Sequence, residues 1–122
     1  MLVLKKKPMP TEYKFNGTEG KPIPQETAAK WVENYQKISP KEIKAHFFGR
    51  DIIEKILKET SCLGIRIYYA IDDAGAKQLI LVGADDNGNN LLPDQRPLSG
   101  EGNIIADASF PCPSYCPPTG DF

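Results

Sequence analysis

Apolar side chains between residues 24 and 38 recur at spacings of three and four, which is the period of an amphipathic helix. The stripe consists of Ala28, Trp31, Val32, Tyr35 and Ile38. Pro24 suits a first helical position, because the first N–H groups of a helix have no partner inside the helix and proline has no N–H group. Glu26 suits the first turn. The pattern predicts a helix that begins at Pro24 and turns this stripe toward a core.

Two further short helices are predicted between residues 39 and 57. Ser39 and Glu42 have the spacing of a capping box, so a second helix is expected to begin there and to end near Gly49. The side chains that it would offer to a core are Ile43, Phe47 and Phe48. Asp51 repeats the capping pattern and begins a third helix. The apolar stripe of that helix is Ile52, Ile53, Ile56 and Leu57.

After Cys62 the period changes to two, as a strand with one buried face requires. One set of alternating positions is Ile65, Ile67, Tyr69 and Ile71, and the other is Gly64, Arg66, Tyr68 and Ala70. Residues 72–76 predict a hairpin loop, with a glycine available for positive φ. The return strand over residues 77–84 contains a nearly continuous apolar run, which indicates burial on both faces or a central position in a small sheet. Residues 104–110 predict a third strand.

The fold class predicted from these elements is α+β, with three short helices packed on a small antiparallel sheet around a central hairpin. Residues 1–23 are rich in proline and glycine and are predicted to form an N-terminal arm, in which residues 11–15 suit an edge strand. Residues 24–110 form a single α+β domain in this prediction. Residues 111–122 form a C-terminal tail rich in proline and cysteine.

Charge and length restrict the classes of function. The chain has 122 residues, with 15 basic and 16 acidic side chains and a formal net charge of -1, so it lacks the basic excess of most nucleic-acid binders. The lysine run at residues 5–7 lies in the arm and is interpreted as solvated. No apolar run approaches a membrane span or a signal-peptide core, so a cytoplasmic location is expected, with export by another route left open. Nucleic-acid and membrane partners are not expected.

The tail carries the least usual chemistry, because Cys112 and Cys116 lie there among prolines. Their spacing falls in the range of zinc ligands, and a four-ligand site would also need Cys62 and His46, the only histidine of the chain. A redox pair is an alternative, although prolines prevent the helix that lowers a thiol pKa in the shorter C-x-x-C motif. The favoured interpretation is an extended strap with lightly packed, reduced thiols, anchored by Tyr115.

Other candidate residues have a structural explanation that competes with a functional one. The acidic segment at residues 85–88 resembles the beginning of a calcium loop, but Asn87-Gly88 is more typical of a tight turn. Arg50 and Arg66 are the best-placed cations for an anionic ligand, and surface ion pairing is the alternative for both. His46 borders an apolar face. No serine elbow, P-loop or H-E-x-x-H motif is present.

Four segments of the chain carry a resemblance to other proteins. They are His46-Phe47-Phe48-Gly49-Arg50-Asp51-Ile52-Ile53, Gly64-Ile65-Arg66-Ile67-Tyr68-Tyr69, Leu81-Val82-Gly83-Ala84-Asp85-Asp86-Asn87-Gly88-Asn89 and the Pro-Cys-Pro-x-Tyr-Cys tail. Together they resemble an uncharacterised family of small bacterial proteins. The similarity spans roughly residues 25–118. It implies a recurring layout of helix, hairpin and tail, and it assigns no activity, cofactor or site residue.

The function expected from the sequence is that of a non-enzymatic interaction or assembly module that is homo-oligomeric. The missing catalytic set and the strand face that carries Arg66 and Tyr68 support this hypothesis, since tyrosine and arginine are enriched at interfaces. The first alternative is a thiol-based metal or redox protein that uses Cys112 and Cys116, with zinc as the only cofactor considered. The second is an enzyme that acts on an anionic small molecule near Arg50.

Overall fold

The computed structural model describes residues 14–93, 102–120 and 122. The chain forms helices α1 (Gln25–Ile38) and α2 (Arg50–Leu57). Its strands are β1 (Ala45–Phe47), β2 (Gly64–Ile71), β3 (Lys77–Ala84), β4 (Ile105–Ala106) and β5 (Phe110–Cys112). The predicted α+β class is confirmed.

The strands form two small antiparallel sheets. In the larger sheet the strand order is β2-β3-β4, and in the smaller one β1 pairs with β5. Ile67 lies opposite Leu81 in the hairpin, and Leu81 lies opposite Ala106 on its other side. The hairpin and its turn at residues 72–76 therefore agree with the alternating pattern and with the glycine of that turn, Gly75, which has φ +83.

A compact apolar cluster joins α2 to one face of the larger sheet. Its buried members are Ile56, Leu81 and Ala106. Partly buried side chains surround them, namely Phe48, Ile52, Ile53, Cys62, Ile65 and Ile104. Gly83 allows this close packing, because a Cβ there would lie 2.9 Å from Cys62 Sγ and 3.3 Å from Ile56 Cγ2. The predicted stripe of the helix after Gly49 is thus confirmed for Ile52, Ile53 and Ile56, whereas Leu57 is exposed and lies outside the cluster.

The predicted second helix is wrong, and Ala45–Phe47 form strand β1 instead. Ser39 ends α1 rather than beginning a helix, because its N–H donates to Tyr35 O at 3.0 Å and its own carbonyl accepts from Glu42 N–H at 3.1 Å. The strand obtains its backbone partners from β5, where His46 lies opposite Pro111. The described residues contain two helices where three were predicted.

The boundaries of the last helix and of the last strand also differ from the prediction. Gly49 precedes α2 in an extended conformation, with φ -69 and ψ 158, and does not end a helix, while Asp51 lies inside the first turn. The strand predicted over residues 104–110 divides into β4 and the beginning of β5, which belong to different sheets. Between them Ala108 has φ 63, so the chain changes direction there.

Helix α1 has the predicted boundaries to within one residue, but none of its side chains is buried. Trp31 is 60% exposed and Ile38 is 80% exposed. Of the predicted edge strand at residues 11–15, residues 11–13 lie outside the described part, as does the lysine run at residues 5–7. Phe15 N–H donates to Asp86 O at 2.8 Å, which attaches the chain beside the turn after β3.

Candidate interaction surface

One face of the hairpin is covered at one end and open at the other. The apolar positions on this face of β2 are Ile65, Ile67, Tyr69 and Ile71. Helix α2 packs near Ile65, through Ile56 and the rest of the core cluster. Toward the turn at residues 72–76 the same face is bare, since Tyr69 is 93% exposed and Ile71 is 72% exposed. Exposed patches of large apolar side chains are a common feature of surfaces that contact another molecule.

A groove of about 840 Å³ lies beside these exposed side chains. Tyr35 of α1 and the segment that leads into β1 line one side, and Tyr69, Ile71 and Leu79 belong to the hairpin side. Lys77 Nζ lies 3.1 Å from Glu42 Oε2 and joins the two sides. The hydrogen bond to Glu42 raises the pKa of Lys77, with a smaller contribution from Tyr35. The groove is therefore largely apolar along the strand, and Lys44 and Lys77 are the lysines that line it.

The two predicted interaction residues lie on the opposite face of β2. Arg66 Nη1 donates to Gly88 O at 2.8 Å and to Asn90 Oδ1 at 2.6 Å, and its guanidinium lies 5.8 Å from the centre of the Phe15 ring. Tyr68 Oη accepts a 2.7 Å hydrogen bond from Asn90 Nδ2. The guanidinium of Arg66 and the hydroxyl of Tyr68 are therefore both hydrogen-bonded within the chain. The role of these two residues in binding a partner stays a prediction.

Two turns with the same pattern, Asp-Asp-x-Gly-x, lie at residues 72–76 and 85–89. In each, the first aspartate accepts backbone N–H groups with one carboxylate oxygen. Asp72 Oδ1 accepts from Ala74 and Ala76 at 2.9 Å. Asp85 Oδ1 accepts from Asn87 at 3.0 Å and from Asn89 at 2.9 Å. The carboxylate of Asp85 thus holds a turn, as the Asn87-Gly88 pattern predicts.

The lone histidine lies at the groove, where its Nδ1 is 2.8 Å from Ser109 Oγ. Strands β1 and β5 bring this pair together, since Ser109 directly precedes β5. Burial lowers the pKa of His46, so the neutral imidazole is favoured. In that state one ring nitrogen donates and the other accepts, which suits a polar contact within a largely apolar groove.

The tail is a closed turn and not an extended strap. Cys112 is 3% exposed and is disulfide-bonded to the exposed Cys116, with their Cα atoms 4.7 Å apart. Tyr115 N–H donates to Pro111 O at 2.8 Å, which folds the segment back on itself. The Tyr115 ring lies 4.8 Å from that of Phe110 and remains 61% exposed, so it contacts a neighbour without being buried. The expectation of reduced, lightly packed thiols is corrected accordingly.

The structure separates the predicted zinc ligands. His46 and Cys112 share the smaller sheet, whereas Cys62 lies beside Gly83 and donates its thiol to Gly64 O at 3.2 Å. Among the described residues no three His, Cys, Asp or Glu side chains are grouped as metal ligands. Arg50, the candidate for an anionic ligand, is the exposed first residue of α2.

Sequence analysis missed the role of Glu59, which follows α2. Its Oε2 accepts the N–H of Ile104 at 2.9 Å and so attaches the chain before β4 to the end of the helix. Its Oε1 is buried and has no hydrogen-bond partner among the described residues. Nothing in a local pattern distinguishes this glutamate from a solvated one, because its partner lies far along the chain.

Comparison with family models, with curated proteins and with solved structures gave no match for this chain. Among the described residues neither helix has the length and apolar character that a membrane span needs.

Proposed function

We propose that this chain is a non-enzymatic assembly module that associates with copies of itself through the open end of the hairpin. The observation that carries the proposal is the exposure of Tyr69 and Ile71 on the face whose other end packs against α2. Exposed single apolar residues are common, but adjacent ones on one strand face form a continuous patch. Trp31 and Ile38 of α1 add exposed apolar surface elsewhere.

The polar side chains near this patch support a binding role rather than catalysis. Lys77 is paired with Glu42 at the groove, and His46 is paired with Ser109. Polar groups that are already paired suit the polar rim of a binding surface. Catalysis instead needs a poised base next to a nucleophile and room for the reacting atom. Self-association is the simplest use of such a surface in a chain of this size.

The test is the concentration dependence of the mass in solution, measured by light scattering and sedimentation. We expect the unmodified chain to associate reversibly, and Tyr69→Glu to shift it to the monomer because the patch would receive a charge that must be desolvated. Tyr115→Glu is the matched control, since it places the same charge on another exposed tyrosine. A chain that stays monomeric at every concentration, or an equal effect of both substitutions, contradicts the proposal.

The disulfide supports a second candidate function, thiol–disulfide exchange. Cys116 is exposed and Cys112 is buried, so an external dithiol would attack Cys116 Sγ. The bond between the two protein sulfurs breaks, Cys112 leaves as the thiolate, and the second thiol of the reductant then releases Cys116. The dithiol is oxidised and the protein pair is reduced.

Equilibration in buffers of increasing dithiothreitol content, followed by alkylation and mass measurement, tests this second candidate. We expect two additional alkylated thiols at reducing potentials typical of the cytoplasm, which is also what the proposed cytoplasmic location requires. Cys62, which has no disulfide, provides the internal reference for alkylation. A pair that stays oxidised across that range contradicts both the exchange function and the cytoplasmic location.

A further inference from the structure

The outer edge of β2 is an unpaired strand edge within the described residues. Strand β2 has eight residues and lies at the end of the order β2-β3-β4. Its sequence contains no proline or lysine, which are the residues that commonly block strand edges. The single charged side chain, Arg66, is turned to Gly88, Asn90 and Phe15.

Hydrogen bonds at the turns determine which backbone groups point out from this edge. Asp72 N–H donates to Ala76 O at 2.9 Å, and Leu91 N–H donates to Gly83 O at 2.8 Å. Backbone groups alternate sides along an antiparallel strand, so the even-numbered residues of β2 bond to β3. The residues whose N–H and C=O groups face outward are Ile65, Ile67, Tyr69 and Ile71.

We infer that two copies of this chain associate edge to edge through β2, antiparallel about a two-fold axis that passes beside Tyr68. The inference rests on the proposed self-association and names its geometry. Outward-facing groups can bond only if odd-numbered residues lie opposite odd-numbered residues. The register centred on Tyr68 satisfies this condition for all four outward-facing residues of β2. In it Ile65 lies opposite the partner's Ile71, and Ile67 lies opposite the partner's Tyr69.

The side chains in this register favour a second copy over an unrelated strand. On the face that carries the open patch, every cross-strand pair is apolar, and pairs of aromatic and β-branched residues are the stabilising ones. On the other face Arg66 lies opposite the partner's Ala70, so the two arginines do not face each other. Both chains thus contribute the same residues to each half of the contact, as a two-fold interface requires.

The contact is expected to be reversible. A single pair of strand edges buries less than the roughly 1,600 Å² of a standard interface, so the dimer should dissociate on dilution. The result is a continuous sheet across the two copies, in which β2 is no longer an edge.

Backbone hydrogen exchange tests the inference without altering the chain. The amides of Ile65, Ile67, Tyr69 and Ile71 should exchange rapidly in dilute protein and become protected as concentration rises. The amides of Arg66, Tyr68 and Ala70 should be protected at both concentrations, because they bond to β3. Self-association without this alternating protection overturns the edge-to-edge geometry and leaves the proposed function standing, whereas a monomer at all concentrations overturns both.

Cross-linking tests the register. Tyr68→Cys would place two thiols directly opposite each other at a site without hydrogen bonds, where Cα atoms lie about 4.5 Å apart, within the range of a disulfide. Ala70→Cys is the matched control on the same face, because its copies would lie on opposite sides of the axis. We expect a covalent dimer from the first variant under mild oxidation and none from the second. A folded Tyr68→Cys chain that associates but does not cross-link overturns this register.

Discussion

The two ends of the hairpin have similar local sequence and different surroundings. The covered end comprises residues 64–66 and 82–84, and the open end comprises residues 69–71 and 77–79. Each end adjoins a turn of the same Asp-Asp-x-Gly-x pattern, and each strand segment contains at least one apolar residue. At the covered end α2 packs on one face and Arg66 stacks near Phe15 on the other, while at the open end Tyr69 and Ile71 face outward.

The difference between the ends therefore arises from distant parts of the chain. Strand propensity and turn chemistry are sufficient to form both ends. Helix α2 packs on one of them, whereas at the other Tyr35 of α1 only borders the groove and leaves Tyr69 and Ile71 exposed. The apolar residues of the open end add little to folding, because burial is what makes an apolar side chain stabilising. The proposed association with another copy would give them a role that folding does not.

The largest expected contrast comes from removing one isoleucine at each end. Ile56→Ala, in the core cluster at the covered end, should lower the free energy of unfolding by about 3 kcal/mol, because it removes buried methyl groups and leaves a cavity. Ile71→Ala at the open end should cost less than about 0.5 kcal/mol in dilute protein. Urea denaturation of both variants measures the contrast, and equal losses would contradict the division into a covered and an open end.

The same contrast shows how far the sequence could predict this fold. The hairpin and α2 could be predicted because their evidence is local, in the alternation of β2 and in the apolar stripe around Ile56. Strand β1 could not, since three residues carry no measurable period and the partner strand β5 lies near the other end of the chain. Its segment contains spacings compatible with a helix, and pairing with β5 overrode them.

The candidate site could be predicted only in part, for the same physical reason. Alternation along β2 defines two faces, but it does not say which one α2 covers or where the cover ends. Sequence analysis placed the contact at Arg66 and Tyr68, whose polar groups prove to be bonded within the chain. The spacing of Cys112 and Cys116 was compatible with a metal, a redox pair or free thiols, and the turn that joins them depends on the Tyr115 hydrogen bond to Pro111.

The two matched turns allow a finer comparison. Gly75 and Gly88 both have φ +83, so an alanine at either position is strained. Among the described residues no atom lies within 4 Å of a Cβ at Gly75, whereas a Cβ at Gly88 would lie 3.3 Å from Phe15 Cε2. We expect Gly75→Ala to cost about 1 kcal/mol and Gly88→Ala about 2 kcal/mol. Thermal and urea unfolding measure both, and equal losses at the two positions would show that Phe15 adjusts without cost.

Substitution of a basic residue at each end by the other basic residue type gives a smaller contrast in stability. Arg66→Lys removes the planar fork that reaches both Gly88 O and Asn90 Oδ1, so we expect a loss of about 1 kcal/mol in unfolding free energy. Lys77→Arg at the open end keeps an exposed ion pair with Glu42 and should change stability by less than about 0.5 kcal/mol. If both substitutions are neutral in urea denaturation, the contacts of Arg66 do not hold the covered end.

The smallest expected effect is the pH dependence of the turn at the open end. A side-chain hydrogen bond from Gln78 and backbone N–H groups, first that of Ala76, lower the pKa of Asp72 below its usual 3.8. The unfolded chain therefore takes up this proton at higher pH than the folded one, so the contribution of Asp72 to stability is complete above the usual pKa and is lost as pH falls through the folded pKa.

Asp72→Asn isolates this contribution, because the amide oxygen still accepts N–H groups but does not titrate. Between about pH 6 and about pH 3 the variant should lose slightly less stability than the unmodified chain, since one carboxylate fewer is protonated. The amide resonances of Ala74 and Ala76 provide a direct measure, and their acid midpoint should lie below 3.8 in the unmodified chain. A midpoint at or above that value would mean that the carboxylate holds the turn only weakly, and that the open end lacks the local stability that the hydrogen bonds of its turn imply.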